Sequence, residues 1–106
     1  LHYGGHFPDN KYSGEEFTLA NGTFADDFHD FAIEWKEGQI DWFVDGERYQ
    51  TQTEWDSVSG PYPAPFDQRF HLLFNVAVGG HFVDDPSETR FPRQMQIDYV
   101  KVYSLE

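Results

Sequence analysis

The dipeptide Asp45-Gly46 is the feature that most limits the folds open to this chain. It separates two strand-like runs, QIDWFV over residues 39–44 and ERYQT over residues 47–51. Asp-Gly between two such runs is the strongest short-range signal for a β-hairpin, because both residues of the tight turn need a positive φ. A cleanly alternating run, FAIEW over residues 31–35, precedes them. The sequence therefore predicts antiparallel strands in the middle of the chain.

Strand signals continue on both sides of this hairpin. The chain opens on LHYGG, an alternation typical of a strand already under way, and further strand-like runs occupy residues 17–19, 69–78 and 94–103. Residues 57–68 hold three prolines and indicate a loop instead. About six strands with loops between them and almost no helix signal predict an all-β fold, an antiparallel β-sandwich or jelly roll. No linker divides the sequence, so residues 1–106 are expected to belong to one domain.

Composition excludes several classes of partner. The net charge is −12, from 19 acidic and 7 basic residues, which argues against nucleic acid and anionic membranes because phosphate binding needs a basic patch. There is no cysteine, so neither a disulfide framework nor a thiolate metal site is expected. Aromatic residues make up 19% of the chain, more than a core of this size needs. Their commoner use is to pack a β-sheet, but sugar-binding clefts and protein interfaces are alternatives.

The run RFHLLFNVAVGG carries the most information about a site. Its alternation predicts one apolar face directed at the core, formed by Phe70, Leu72, Phe74, Val76 and Val78. Asn75 falls on the opposite face, where its amide either faces a cleft and bonds a sugar hydroxyl or bonds neighbouring backbone. The pattern alone leaves both open and favours the second.

Two short motifs bear on other chemistries. Among the five histidines, His2 and His6 have His-x-x-x-His spacing, but they lie in a run with strand alternation and not in a helix, so the sequence does not predict a zinc site. Asn21-Gly22-Thr23 fits the acceptor pattern for N-glycosylation, although Asn-Gly is first of all a turn signal.

Four segments taken in order resemble one known family. FHDFAIEW, IDWFVDGERY, PFDQRFHLLFNVAVGG and FPRQMQIDYVKVY are similar to glycoside hydrolase family 16, in particular its laminarinase-type endo-1,3-β-glucanases. The resemblance implies a concanavalin-like jelly roll, hydrolysis of a β-glucan polysaccharide with retention, and an extracellular, secreted protein. The opening LHYGG looks like the strand that follows the family's catalytic strand, so the chain is expected to supply the C-terminal half of the domain.

The family's catalytic strand, of the form Glu-Ile-Asp-x-x-Glu, is not found within residues 1–106, so no catalytic residue is assigned. Adjacent acidic pairs, at 15–16, 26–27 and 84–85, would point to opposite faces of a strand. Asp41 and Asp45 share a strand face, but their Cα atoms would lie about 13 Å apart, whereas retention needs carboxyl groups about 5–5.5 Å apart. We interpret both as solvated.

The resemblance does imply residues that touch substrate or metal. His2 and Asn75 match cleft-facing, substrate-contacting positions, and Ala77 stands where many relatives carry a tryptophan. Asp98 matches the family's ligand for a structural calcium ion, whose other ligands would come mostly from the N-terminal half.

Three hypotheses remain open. The complete protein is a retaining endo-1,3-β-glucanase, or it is a β-glucan-binding module of the same fold without the catalytic carboxylates, or the chain is an inert half-domain. A half-sandwich leaves strand edges open, so we expect the chain to pair with the N-terminal half, to self-associate or to aggregate.

Overall fold

A computed structural model describes residues 1–81 and 85–105. The chain forms two compact units, Leu1–Arg69 and Phe70–Ser104. All the strands of the described residues lie in the first unit: β1 (His2–Gly4), β2 (Asn10–Tyr12), β3 (Phe31–Lys36), β4 (Gln39–Val44) and β5 (Glu47–Gln52). Among the described residues of the second unit, Pro86–Glu88 form a 3₁₀ helix.

The predicted hairpin is the centre of the first unit. Strands β3, β4 and β5 form an antiparallel sheet in that order. Asp45 and Gly46 make the turn between β4 and β5 with φ values of 49° and 82°, as a two-residue hairpin turn requires. The prediction of strands here is confirmed, and β4 has the bounds predicted for it. An irregularity in the β4–β5 pairing at Trp42 and Phe43 shifts the register beyond that point.

A second, smaller sheet begins at the start of the chain. β1 and β2 pair antiparallel, and the Leu1 amino group donates to Ser13 O at 2.6 Å. Gly4 makes an isolated parallel bridge to Ser57, and Lys11 Nζ lies 2.8 Å from Asp56 Oδ1. These contacts tie the small sheet to the segment that follows β5. The strand predicted at the opening of the chain is therefore present.

The buried apolar residues sit where the proline-rich loop meets the three-stranded sheet. Ile40 and Val44 of β4 are at most 4% exposed, and Trp55 is 7% exposed. The Trp55 indole N–H donates to Pro63 O, and its ring meets the Phe66 ring edge-on at 5.3 Å. A tryptophan buried with its N–H satisfied serves packing. Residues 57–68 form a loop, as predicted, and this loop is anchored by indole side chains.

Trp35 anchors the same loop from β3. Its indole N–H donates to Phe66 O at 2.8 Å. Trp35 and Trp55 thus each fix one carbonyl of the loop. The structure assigns Trp55, which is 7% exposed, to packing.

The second unit differs from the prediction. Residues 69–78 and 94–103 were expected to be strands, but the structure assigns them no ladder hydrogen bonds. The expected core face is more than half exposed, at 54–60% for Phe70, Leu72, Phe74, Val76 and Val78. The prediction that this face is buried is wrong for this structure. An alternating pattern supplies an apolar face, but a strand forms only where another strand pairs with its backbone and another layer covers that face.

Short-range order remains in the second unit. The Asp85 carboxylate accepts from Ser87 N at 2.9 Å and caps the 3₁₀ helix. Lys101 Nζ lies 4.4 Å from the centre of the Tyr99 ring. Contact between residues two apart fits the extended alternation predicted here, in which both point to one side.

The described residues therefore contain small antiparallel sheets and no α-helix, which confirms the all-β class. Residues 17–19, expected as a short strand, are not assigned to one. None of the described residues forms a helix long and apolar enough to cross a membrane.

Candidate functional site

His2 is held on β1 opposite an aromatic residue of β2. It pairs in register with Tyr12, and the two rings lie 5.9 Å apart with a tilt of 33°. Both side chains are exposed, Tyr12 to 77%. An exposed imidazole beside a flat phenol ring can hydrogen-bond a sugar hydroxyl while the ring faces the sugar's C–H surface. This arrangement suits the substrate-contacting role predicted for His2 but does not test it.

Asn75 lies in the second unit, in an exposed segment outside any assigned strand. Its neighbours Phe74 and Val76, expected to face the core, are 55% and 54% exposed. The structure therefore shows no buried side opposite Asn75 from which its cleft-facing orientation could follow. Because His2 and Asn75 belong to different units, each stands as a separate prediction.

Asp98 is an exposed carboxylate in the second unit. Within residues 1–81 and 85–105, no three His, Asp or Glu side chains group so that they could hold a metal ion. Calcium takes about six to eight oxygen ligands, so Asp98 and its described surroundings do not by themselves fit the ion. A calcium site at Asp98 stays a prediction for the whole protein.

The adjacent acidic residues serve turns. Asp26 Oδ2 accepts from Thr23 N at 2.7 Å, and Asp27 Oδ1 accepts from Phe28 N at 2.8 Å. Asp85 caps the 3₁₀ helix, and its neighbour Asp84 lies outside the described residues. Side chains committed to local backbone donors shape loops. This agrees with the interpretation that the adjacent pairs are not catalytic.

Asp45 closes the hairpin turn. Its carboxylate lies 2.7 Å from His29 Nδ1, which donates because an ionised carboxylate can only accept, and it also accepts from Asp30 N at 2.9 Å. Both bonds lower the pKa of Asp45, and the bond from His29 is the larger cause. Its side chain is 47% exposed, in line with the solvated position predicted for it.

Asp41 corrects the sequence interpretation. It was expected to be solvated, yet it is 3% exposed on the central strand β4. The Thr51 hydroxyl donates to Oδ1 at 2.5 Å and Gln39 Nε2 donates to Oδ2 at 2.8 Å. Arg48 Nη1 lies 3.9 Å from Oδ1. The hydrogen bond from Thr51 is the largest cause of a lowered Asp41 pKa, so the carboxylate is held ionised although it is buried.

Sequence reasoning missed one further pair of carboxylates. Glu34 of β3 is the direct cross-strand partner of Asp41. Side chains opposite each other in an antiparallel pair have Cβ atoms about 4.5–5.5 Å apart, which brings the two acids close together. The cross-strand register was the missing signal. Because Asp41 is buried with both oxygens bonded, it cannot reach a substrate, and the pair does not make an active site.

Comparison with known proteins identifies the family of this chain. The profile of glycosyl hydrolases family 16 matches residues 3–101, which is most of the chain. The chain belongs to glycosyl hydrolase family 16. The resemblance inferred from the four sequence segments is confirmed.

Three curated relatives of this family 16 chain carry names that refer to β-1,3-glucan. Glucan endo-1,3-beta-glucosidase A1 of Niallia circulans is 41% identical over 110 residues, and glucan endo-1,3-beta-glucosidase of Cryptopygus antarcticus is 34% identical over 118 residues. Beta-1,3-glucan-binding protein of Penaeus monodon is 35% identical over 97 residues. By their names, two of these proteins act on β-1,3-glucan and one binds it.

The matches cover much of this chain but only part of each relative. The match covers 97% of this chain and 16% of the Niallia circulans protein. It covers 98% of this chain and 42% of the Cryptopygus antarcticus protein. It covers 76% of this chain and 26% of the Penaeus monodon protein. The chain therefore spans less than half the length of the curated relatives it matches. No solved structure matches it.

Proposed function

We propose that the whole protein containing this chain hydrolyses β-1,3-glucan by a retaining mechanism. The observation that carries the proposal is the 41% identity, across 97% of the chain, to glucan endo-1,3-beta-glucosidase A1 of Niallia circulans. Retention requires two carboxyl groups about 5–5.5 Å apart, one acting as nucleophile and one as acid/base. We place both on a Glu-x-Asp-x-x-Glu strand outside residues 1–106, because the sequence of residues 1–106 contains no such run.

In this proposal the chain supplies cleft residues and part of the fold. His2 and Asn75 position sugars next to the bond that is cut. Residues 69–78 and 94–103 pair as strands in a complete antiparallel jelly roll, whose second layer covers the apolar side chains now 54–60% exposed at Phe70, Leu72, Phe74, Val76 and Val78. The exposure of this apolar face supports the larger fold, since exposed apolar patches recruit partners.

A β-1,3-glucan-binding module is the second candidate function. The relative named beta-1,3-glucan-binding protein, 35% identical to this chain, favours it. A binder needs cleft residues such as His2 and Asn75 but no catalytic carboxylates. The two candidates therefore differ in chemistry outside residues 1–106, and the cleft contacts proposed within it are common to both.

One experiment on the full-length protein separates them. Purified protein is incubated with laminarin while reducing-sugar release and the anomeric form of the first product are followed by NMR. The enzyme proposal expects release of products that are initially β-anomers, as retention requires. Binding to insoluble β-1,3-glucan without any release supports the binding module, and neither release nor binding contradicts both.

Three further proposals follow from the family for the whole protein. We place it outside the cell, a location that suits a polymeric substrate. Asp98 contributes one ligand to a structural calcium ion completed by other parts of the protein. Open strand edges lead the separate chain to pair with the rest of its domain or with itself, and a sedimentation run showing a stable, folded monomer at high concentration would contradict this last proposal.

A further inference from the structure

We propose that Asn21 is an acceptor site for an N-linked glycan when the protein passes through a secretory pathway that carries out this modification. Asn21-Gly22-Thr23 satisfies the acceptor pattern, in which a hydroxyl residue follows two positions after the asparagine and the residue between is not proline. Asn21 side-chain chemistry plays no part in the proposed glucan site. The proposal therefore stands apart from the hydrolase function and rests on the extracellular location.

The structure places this motif where a bulky glycan can be carried. Asn21 and Thr23 are both exposed, in the loop between β2 and β3. Gly22 has a φ of 74°, and a side chain there would begin 3.0 Å from Asp26 Oδ2. Two hydrogen bonds stabilise the loop at the end of the motif. Thr23 N donates to Asp26 Oδ2, and Asp26 N donates to Thr23 O at 3.1 Å. A fixed, outward-facing turn can hold a glycan without disturbing the sheet.

Exposed phenylalanine side chains lie close to the motif in the sequence, and a glycan at Asn21 can cover them. Phe24 follows the motif directly and is 41% exposed, with its ring 5.4 Å from that of Phe31. Phe28 and Phe31 are 61% and 68% exposed. A hydrated glycan at Asn21 shields this aromatic surface from other chains, which matters because exposed apolar patches promote association.

The reaction is a group transfer from a named class of donor. The oligosaccharide arrives on a lipid diphosphate, and the transferase of the compartment catalyses the step. The Asn21 side-chain nitrogen forms a bond to the anomeric carbon of the first sugar, while the bond from that carbon to the diphosphate oxygen breaks. The lipid diphosphate leaves with the bonding electrons, and the amide nitrogen gives up one proton. No oxidant or reductant is involved.

The experiment expresses the full-length protein, with the asparagine of every acceptor motif outside residues 1–106 changed to glutamine, in a eukaryotic secretory host behind a leader and a tag that carries its own acceptor motif. Only molecules whose tag is glycosylated are scored, so every molecule counted has entered the compartment. The proposal expects a second glycan, seen as an additional mobility shift that an N-glycan amidase removes. The amidase turns the glycosylated asparagine amide into a carboxylate that takes one oxygen from heavy-oxygen water, and mass spectrometry locates that oxygen at position 21.

Matched variants make the result specific. Asn21→Gln and Thr23→Ala lose the second glycan, whereas Thr23→Ser keeps it because serine also supplies the hydroxyl. Asn10→Gln, which changes an exposed asparagine outside any acceptor motif, leaves the glycan in place. A parallel digest without amidase accounts for spontaneous deamidation at Asn21-Gly22. Chains with a glycosylated tag and an unmodified Asn21 would overturn the proposal, and so would a second glycan that persists in Asn21→Gln.

Discussion

Asp41 shows how a buried charge is kept in a small sheet. Transferring an ionised carboxylate out of water is costly unless its oxygens are bonded. Here the Thr51 hydroxyl and the Gln39 amide occupy one oxygen each. The period of the strand identified which face carries Asp41, but it could not show that two neighbours would donate to it. This is why the sequence predicted a solvated side chain.

Thr51→Val should destabilise the full-length protein by about 1–3 kcal/mol, because it leaves a buried carboxylate oxygen without its donor. The free energy of unfolding by urea measures the change. Thr51→Ser is the matched control, since it keeps the hydroxyl, and it should recover most of the stability. Full stability in Thr51→Val would contradict the account, because the hydroxyl that donates to Asp41 would then contribute nothing.

Asp41 also predicts a dependence on pH. Its folded-state pKa is lowered, so the folded protein favours the ionised form more than the unfolded chain does. That stability is present above the ordinary carboxylate pKa and is lost as pH falls through the lowered value. Asp41→Asn should therefore be less stable at neutral pH and lose less further stability on acidification. If the melting temperatures of both proteins fell equally as the pH was lowered, this assignment would be contradicted.

Asn75 is one of the two residues proposed to line the cleft. In the active full-length protein, Asn75→Ala should lower turnover of laminarin about tenfold or more, because hydrogen bonds that strengthen in the transition state supply several kcal/mol. Asn10→Ala, at an exposed asparagine of β2, is the control and should leave turnover unchanged. Unchanged kinetics in Asn75→Ala would remove this residue from the site. The prediction came from the family resemblance, since the strand pattern alone favoured a backbone-bonded amide.

At the scale of elements, the hairpin was predicted to within one residue, whereas the strands expected at residues 69–78 and 94–103 are not assigned. Asp45-Gly46 specifies its turn through local backbone preferences, and β4 needs only its two sequence neighbours, β3 and β5, for pairing. Residues 69–78 carry an equally clear alternation, but local sequence supplies neither the partner strand nor the opposing layer. Periodicity predicts which side chains share a face. Only pairing makes that segment a strand.

Gly46→Ala tests the hairpin directly. Gly46 has a φ of 82° with nothing within 4 Å of an added Cβ, so any cost comes from the backbone and not from a clash. We expect a loss of about 1 kcal/mol or more in the free energy of unfolding. Gly14→Ala is the control, because its nearest neighbour, Gln50 Oε1, would lie at an ordinary contact distance of 3.8 Å. If both variants behaved alike, the turn conformation would not be what stabilises the hairpin.

At the scale of the whole molecule, calcium is the simplest question. If Asp98 binds a structural ion together with ligands from elsewhere in the protein, chelation should lower the melting temperature of the full-length protein. Asp98→Ala should remove that sensitivity. Asp85→Ala, which changes a carboxylate that caps the 3₁₀ helix, should leave it in place. A melting curve indifferent to chelator and to added calcium would end the proposal.

At this scale, the proposed cleft residues and the proposed catalytic carboxylates belong to different parts of the protein. Glu34 and Asp41 are cross-strand partners, yet Asp41 is 3% exposed and both its oxygens are bonded. The chain spans 16% and 42% of the two glucan endo-1,3-beta-glucosidases it matches. The proposed chemistry therefore needs carboxylates from the rest of the domain.

Reducing-sugar release from laminarin tests this claim most directly, measured for the 106-residue chain alone and for the chain mixed with the segment that carries the two catalytic glutamates. Retaining hydrolysis needs both carboxyl groups in one site, so we predict no release above background by the chain alone. Release should appear in the mixture and disappear again when either glutamate is changed to glutamine. Robust release by the chain alone would contradict the account, because its catalytic carboxylates would then lie within residues 1–106.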